Sequence, residues 1–263
     1  MVRYARPVAF PSHREIDVTV DGDIGGLRLN RPDRLNALTS SVMSSIIEAA
    51  EWFDARSQVR AVVISGAGDA FCAGVDIGEF ASLESLEASL PAFRLGAALV
   101  RTVESMRPIT IAALHGSVVG GGVVLAAACD LRVAAEDTSF SIPEVDLGIP
   151  LLWDAIPRLV REIGPARTRE LVMTCRPFTA VEAENMGFVN RVVPAADVFT
   201  AANALAREVA ARPAVPVEMT KRQVAAALGT GSFLTDAEAL RAVLTDADSR
   251  ARRDEYLRRF LDR

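Results

Sequence analysis

Apolar and polar positions alternate over Ile24-Gly25-Gly26-Leu27-Arg28-Leu29-Asn30, as in a strand with one face buried, after a short polar lead that ends near Asp23. Arg31-Pro32-Asp33 stops that run. From Thr39 the period changes: Val42, Met43, Ile46, Ile47, Ala50 and Phe53 recur at helical spacing, with Thr39 or Ser40 as the N-cap. Val59 to Ser65 is then almost continuously apolar, the pattern of a strand covered on both faces, and Gly66-Ala67-Gly68-Asp69 ends it in a turn. A weakly helical segment, Leu83 to Met106, leads to a second buried strand at Ile109 to Leu114, then a loop and a helix opening at Gly120-Gly121-Gly122. Leu131 to Ala134, Ser139 to Ile142 and Phe188 to Val193 read as further strands. Strands alternating with helices predict an α/β layer architecture. Beyond residue 197 the chain is rich in Ala and Arg, keeps helical periodicity and has no strand signal. This divides it into an α/β core, residues 1–196, and a C-terminal helical region, residues 197–263. The apolar stripes of that region need a surface to cover, either their own core or a neighbouring subunit.

Composition narrows the class. The 263 residues are 50% hydrophobic and 24% charged, enough for one large core and too apolar for a disordered chain. A net charge of −5, with no block of like charges, gives a nucleic-acid binder little support. Cys72, Cys129 and Cys175 have no metal-ligand spacing and read as free thiols of a reducing cytoplasm. The first eleven residues carry two arginines with no apolar run behind them, so no signal peptide is expected. The longest uncharged stretch, Ile109 to Cys129, is interrupted by His115 and the glycines, so no membrane span is expected either. The expected location is cytoplasmic.

Two glycine-bearing loops follow the buried strands. In Ala70-Phe71-Cys72-Ala73-Gly74-Val75-Asp76-Ile77 small residues allow a ligand to approach the backbone, and in Val118-Val119-Gly120-Gly121-Gly122-Val123 three glycines open an apolar helix whose free N–H groups favour negative charge. Either loop alone reads as a tight turn. Together with Arg34-Leu35-Asn36-Ala37-Leu38, Cys129-Asp130-Leu131-Arg132, Pro143-Glu144, Leu147-Gly148, Pro157-Arg158-Leu159 and Gly187-Phe188-Val189-Asn190-Arg191, in this order, they resemble the enoyl-CoA hydratase/isomerase (crotonase) family from roughly Ile24 to Val193.

The resemblance implies a spiral of ββα turns with a C-terminal helical part, assembled as a homotrimer or a hexamer of paired trimers. It implies an acyl-CoA thioester as ligand, coenzyme A entering as part of the substrate, with no resident cofactor or metal and neither nucleic acid nor membrane as partner. Removing a proton beside a thioester places negative charge on oxygen, which preorganised donors stabilise more in the transition state than in the ground state. By motif position those donors are the backbone N–H groups of Val75 and Gly121. The same positions put Arg34, Leu35, Ala37, Ala73, Asp76, Ile77, Gly120, Pro143, Leu147, Trp153 and Asp154 at the substrate, with Arg34 facing a CoA phosphate.

Departures from the family pattern bear on the chemistry. The hydratase pattern holds water between two glutamates; one is Glu144 here, and the other position is Val124, which neither holds nor deprotonates water. One carboxylate suffices to move a proton between two carbons of a bound acyl group, so isomerase-like transfer by Glu144 is expected, and burial beside an acyl chain would raise its pKa toward neutrality. The alternatives are a hydratase using Glu144 with Asp154, or an acyl-CoA binding or carrier protein without turnover. The usual Gly-Gly pair before Arg-Leu falls on Asp154 and Ala155, which implies a reshaped pocket floor. Gly78 replaces a basic residue common in relatives. Lys221 reads as a solvated surface charge, with a further contact to CoA as the alternative, His115 as a core or hydrogen-bonded histidine and not a base, and Cys72 as packed and not nucleophilic.

Overall fold

The computed structural model describes residues 10–11, 13–81, 85–212 and 214–228, with isolated helical positions between 241 and 258. The expected start of the helical segment at Leu83, most of the first eleven residues and most of the chain beyond 228 lie outside the described residues.

Two sheets are built by alternate strands. The larger has the order β1 (Ile16–Asp21), β2 (Ile24–Leu29), β3 (Ala61–Gly66), β5 (Ile109–Leu114), β7 (Leu131–Ala135) and β10 (Arg191–Val193). The smaller has the order β4 (Ala70–Cys72), β6 (Ser117–Val119), β8 (Ser139–Ser141) and β9 (Phe178–Thr179). Within the larger sheet only β1–β2 is antiparallel, and within the smaller only β8–β9. From β3 to β8 each turn therefore lays one strand in each sheet and returns through a helix. β3 and β4 lead to α2 (Ile77–Ala81) and α3 (Leu86–Ser105), β5 and β6 to α4 (Gly121–Ala128), and β7 and β8, through a loop, to α5 (Ala155–Thr174). This is the expected ββα spiral.

The continuous apolar run of β3 has its cause in two covered faces. Val62 and Ile64 point into a core shared with α1 (Ser40–Asp54), α3, α4 and α5, while Ala61 and Val63 join Val198, Ala202, Leu205 and Ala206 of α7 (Val198–Ala210). The first helix of the C-terminal region thus covers the chain's own sheet. α8 (Ala214–Ala227) buries no residue fully, and it is tied down by Lys221 to Asp130 at 2.7 Å and by Arg107 to Glu218 at 3.2 Å. Lys221 is therefore a half-buried structural partner and not a solvated surface charge.

Local signals place most boundaries. Thr39 caps α1, its hydroxyl accepting from the Val42 N–H. The polar lead, by contrast, contains β1, an edge strand in which only Ile16 is fully buried and whose pairing to β2 closes across Gly22. The strand expected at Phe188 to Val193 shortens to β10, because the N–H groups of Phe188 and Val189 both bond to Ala183 O at the end of α6 (Ala180–Asn185). Cys72, Cys129 and Cys175 are free thiols. Among the described residues no helix is long and apolar enough to cross a membrane.

Candidate active site

A cavity of about 90 Å³ opens where β4, β6 and the loop after β8 deliver their C-terminal ends beside α4. Ala73, Gly74, Val75 and Ile77 form one side, Val119, Gly120, Gly121 and Val124 the second, and Pro143, Glu144, Leu147 and the segment Ile149 to Trp153 the third. Phe93 of α3 and Leu257 complete the lining.

Glu144 follows β8 in a tight coil in which Leu147 N–H bonds to Pro143 O and Ile149 N–H to Glu144 O. Its carboxylate lies against Gly120, whose backbone (φ 50°, ψ −115°) is open only to glycine. A Cβ on Gly120 would stand 2.5 Å from Glu144 Oε1, so glycine is required twice over, for conformation and for space. Oε2 is out of contact with solvent and has no hydrogen-bond partner among the described residues. Burial among apolar groups pushes this carboxyl up from 4.5 to about 7, opposed only by its own backbone N–H. A group so poised both takes and returns a proton near neutrality.

Two residues of the same lining, Val75 and Gly121, carry N–H groups to be accounted for. The bridge between Leu38 and Val75 uses Gly74 O and the Asp76 N–H, at 2.7 and 3.0 Å from Leu38, which turns the N–H of Val75 to the opposite side. Gly121 is the first residue of α4, where an N–H has no partner within the helix. Neither N–H has a backbone acceptor outside the helices and strands among the described residues. The two are close: Val75 N is 3.6 Å from where a Cβ on Gly121 would stand. Paired donors beside a helix N-terminus suit a developing oxyanion.

The structure thus brings together Glu144, Val75, Gly121, Gly120, Ala73, Ile77, Pro143, Leu147 and Trp153, with Val124 buried in the same lining. It does not bring Asp154 to the cavity. That side chain turns outward to Arg101 at 2.9 Å and is 43% exposed, so its use as a second acid/base group has no geometric support. The glycine-like backbone of this loop falls at Trp153 (φ 63°) and Asp154 (φ 54°), one residue earlier than the expected pair, because Ala155 already opens α5. Asp76 is occupied locally: it accepts from the Gly78 and Glu79 N–H groups and pairs with Arg31 at 3.2 Å. Arg34 and Leu35 are exposed in the turn before α1 and Ala37 is buried behind it, all three outside the lining. Leu35 reaches the lining through its carbonyl, which accepts from the Ala73 N–H at 2.9 Å. His115 bonds to Gly68 O and packs edge-on to Phe199, and burial pushes the Cys72 thiol up to about 12, which makes it inert.

Sequence reasoning did not find Phe93, Leu257 or the run Ile149 to Leu152. Phe93 belongs to an apolar helical stripe like any other, and nothing in its spacing marks the one side chain that reaches the cavity.

A ββα spiral with one buried carboxylate and two backbone donors around an apolar cavity is the crotonase class of α/β protein. Its solved relatives include an enoyl-CoA hydratase/isomerase from Mycobacterium paratuberculosis, which superposes with a TM-score of 0.85 at 26% identity over 94% of this chain and 100% of that one. A probable enoyl-CoA hydratase from Mycobacterium tuberculosis is 38% identical over 81% of this chain and 82% of its own length. A peroxisomal Δ3,5-Δ2,4-dienoyl-CoA isomerase from Arabidopsis thaliana is 34% identical over 65% of this chain and 66% of its own. The sequence profile described as enoyl-CoA hydratase/isomerase matches residues 20–263, and this chain belongs to that family.

Proposed function

We propose that this protein binds acyl-CoA thioesters and moves a proton between carbons of the bound acyl group, with Glu144 as its one acid/base residue. The observation that carries the reading is that, of all the side chains lining the cavity among the described residues, Glu144 alone titrates. Its carboxylate takes a proton from C2 of a 3-enoyl thioester, and the electron pair left behind spreads onto the thioester oxygen. The N–H groups of Val75 and Gly121 stabilise that oxygen, and losing one such donor reduces the rate by about 10²–10³. The protonated Glu144 then returns the proton at C4, and the double bond ends between C2 and C3. Hydration needs a second group to hold and orient water. Val124 is apolar and Asp154 is paired with Arg101 outside the cavity, so the site favours isomerisation.

The reaction asks for no resident cofactor or metal, since coenzyme A arrives with the substrate. Arg34, exposed one residue before the Leu35 carbonyl that holds Ala73, is the proposed partner of a CoA phosphate. A homotrimer or paired trimers in the cytoplasm is the proposed state. Exposed Val215, Met219, Val224 and Leu228 on and just after α8 support burial against another copy. The test is exchange of acyl-CoA α-protons into deuterated water. Wild type exchanges and Glu144→Gln does not; equal exchange by both sinks the mechanism, and binding without exchange in either leaves the carrier reading.

A further inference from the structure

The indole of Trp153 bridges the gap between α3 and α4. On one side it occupies the space where Gly96 of α3 would carry a side chain: a Cβ there would overlap Cε2 and Nε1. On the other side its Cζ3 and Cη2 lie 2.7 and 2.9 Å from where a Cβ on Gly121 would stand. The ring is therefore seated in two glycine sockets, one of them the residue whose N–H faces the reacting oxygen. Its backbone is clamped as well. Arg158, buried in α5, donates to the carbonyls of Trp153 and Asp154 at 2.9 Å each and is paired with Glu104 of α3, which also binds Arg161. The neighbouring Asp154–Arg101 pair ties the same loop to the same helix. Wedged and clamped on both sides, the indole is a fixed wall and not a gate.

We propose that Trp153 sets the upper limit on acyl length, making this a short-chain acyl-CoA site; the inference rests on the acyl-CoA reading above. The wall stands beside the thioester position, so an acyl chain meets it within a few carbons. The cavity of about 90 Å³ agrees with a short chain; for scale, an apolar cavity of about 150 Å³ takes up benzene. Removing the ring joins the cavity to the vacated space over Gly96. Each further methylene buried there strengthens binding about fourfold.

The test measures binding of butyl-, hexyl-, octyl- and decyl-CoA thioethers, which need no turnover, to the full chain. Wild type binds butyl or hexyl best and loses affinity at octyl and decyl. Trp153→Gly, which also suits the left-handed backbone at this position, reverses that order, with affinity rising toward decyl. Trp153→Phe moves the cut-off by one or two carbons and supplies the test should the Gly variant not fold. Wild type binding decyl-CoA as tightly as butyl-CoA, or a length profile unchanged in both variants, overturns the proposal. Absence of binding at every length overturns the acyl-CoA reading and this inference with it.

Discussion

Glu144→Gln separates the cost of burying a carboxylate from its use. Burial holds the Glu144 carboxyl at about 7 in the folded chain against 4.5 in the open one. Between those values the unfolded chain has released the proton and the folded chain still holds it, so stability falls as pH rises through that window. At about 1.4 kcal/mol per unit the loss is at most about 3–4 kcal/mol, complete above pH 7 and absent below 4.5. Gln carries no such proton. The stability of the variant relative to wild type should therefore rise by up to that amount between acid and mildly alkaline solution, read from urea midpoints of both proteins. Activity runs the other way, because proton abstraction requires the ionised form. Exchange at the α-carbon should climb with pH through about 7 in wild type and drop by about 10²–10⁴ in the variant. A stability difference that is flat with pH, together with an exchange midpoint near 4.5, would refute the reasoning, because Oε2 would then be solvated.

Other substitutions test the remaining parts of the site. Gly120→Ala places a Cβ 2.5 Å from Glu144 Oε1 at φ 50°, so it should lower stability by about 1–3 kcal/mol in thermal unfolding and displace the carboxylate, with loss of exchange. Val75→Ala keeps the backbone donor and should lose far less exchange than the 10²–10³ or so expected of a missing N–H; a loss of that size would show that the side chain does the stabilising. Asp154→Asn removes one exposed ion pair, worth about 0–1 kcal/mol, and should leave both exchange and any crotonyl-CoA hydration at wild-type level. A large fall in hydration alone would return Asp154 to the reaction.

Legibility in the sequence followed the range of the forces involved. The uninterrupted run of β3 announced burial on both faces, and Val62 with Ile64 and Ala61 with Val63 do divide between two cores. Thr39 announced α1 because a cap acts within three residues of itself. β1 escaped because only Ile16 of its six residues is fully buried; its strand geometry comes from the ladder with β2 and not from any apolar face. Phe188 and Val189 look like strand residues by composition, yet their N–H groups are claimed by the end of α6. In the site, motif positions pointed to Glu144, Val75 and Gly121 together, but they also pointed to Asp154, one residue from Trp153. Their opposite fates, indole into the cavity and carboxylate out to Arg101, follow from successive left-handed residues and the Arg158 clamp.

By itself the sequence determined the alternation of strands and helices, the two glycine loops, the Pro143-Glu144 motif, and membership of the family. Tertiary structure alone decided that Glu144 is buried with one oxygen unpartnered among the described residues, that Val75 and Gly121 line the same cavity, and that the indole of Trp153 is seated against Gly96 and Gly121. The physical reason is range. Periodicity, capping and turn chemistry are settled among near neighbours, whereas desolvation and the convergence of donors depend on groups delivered by different turns of the spiral.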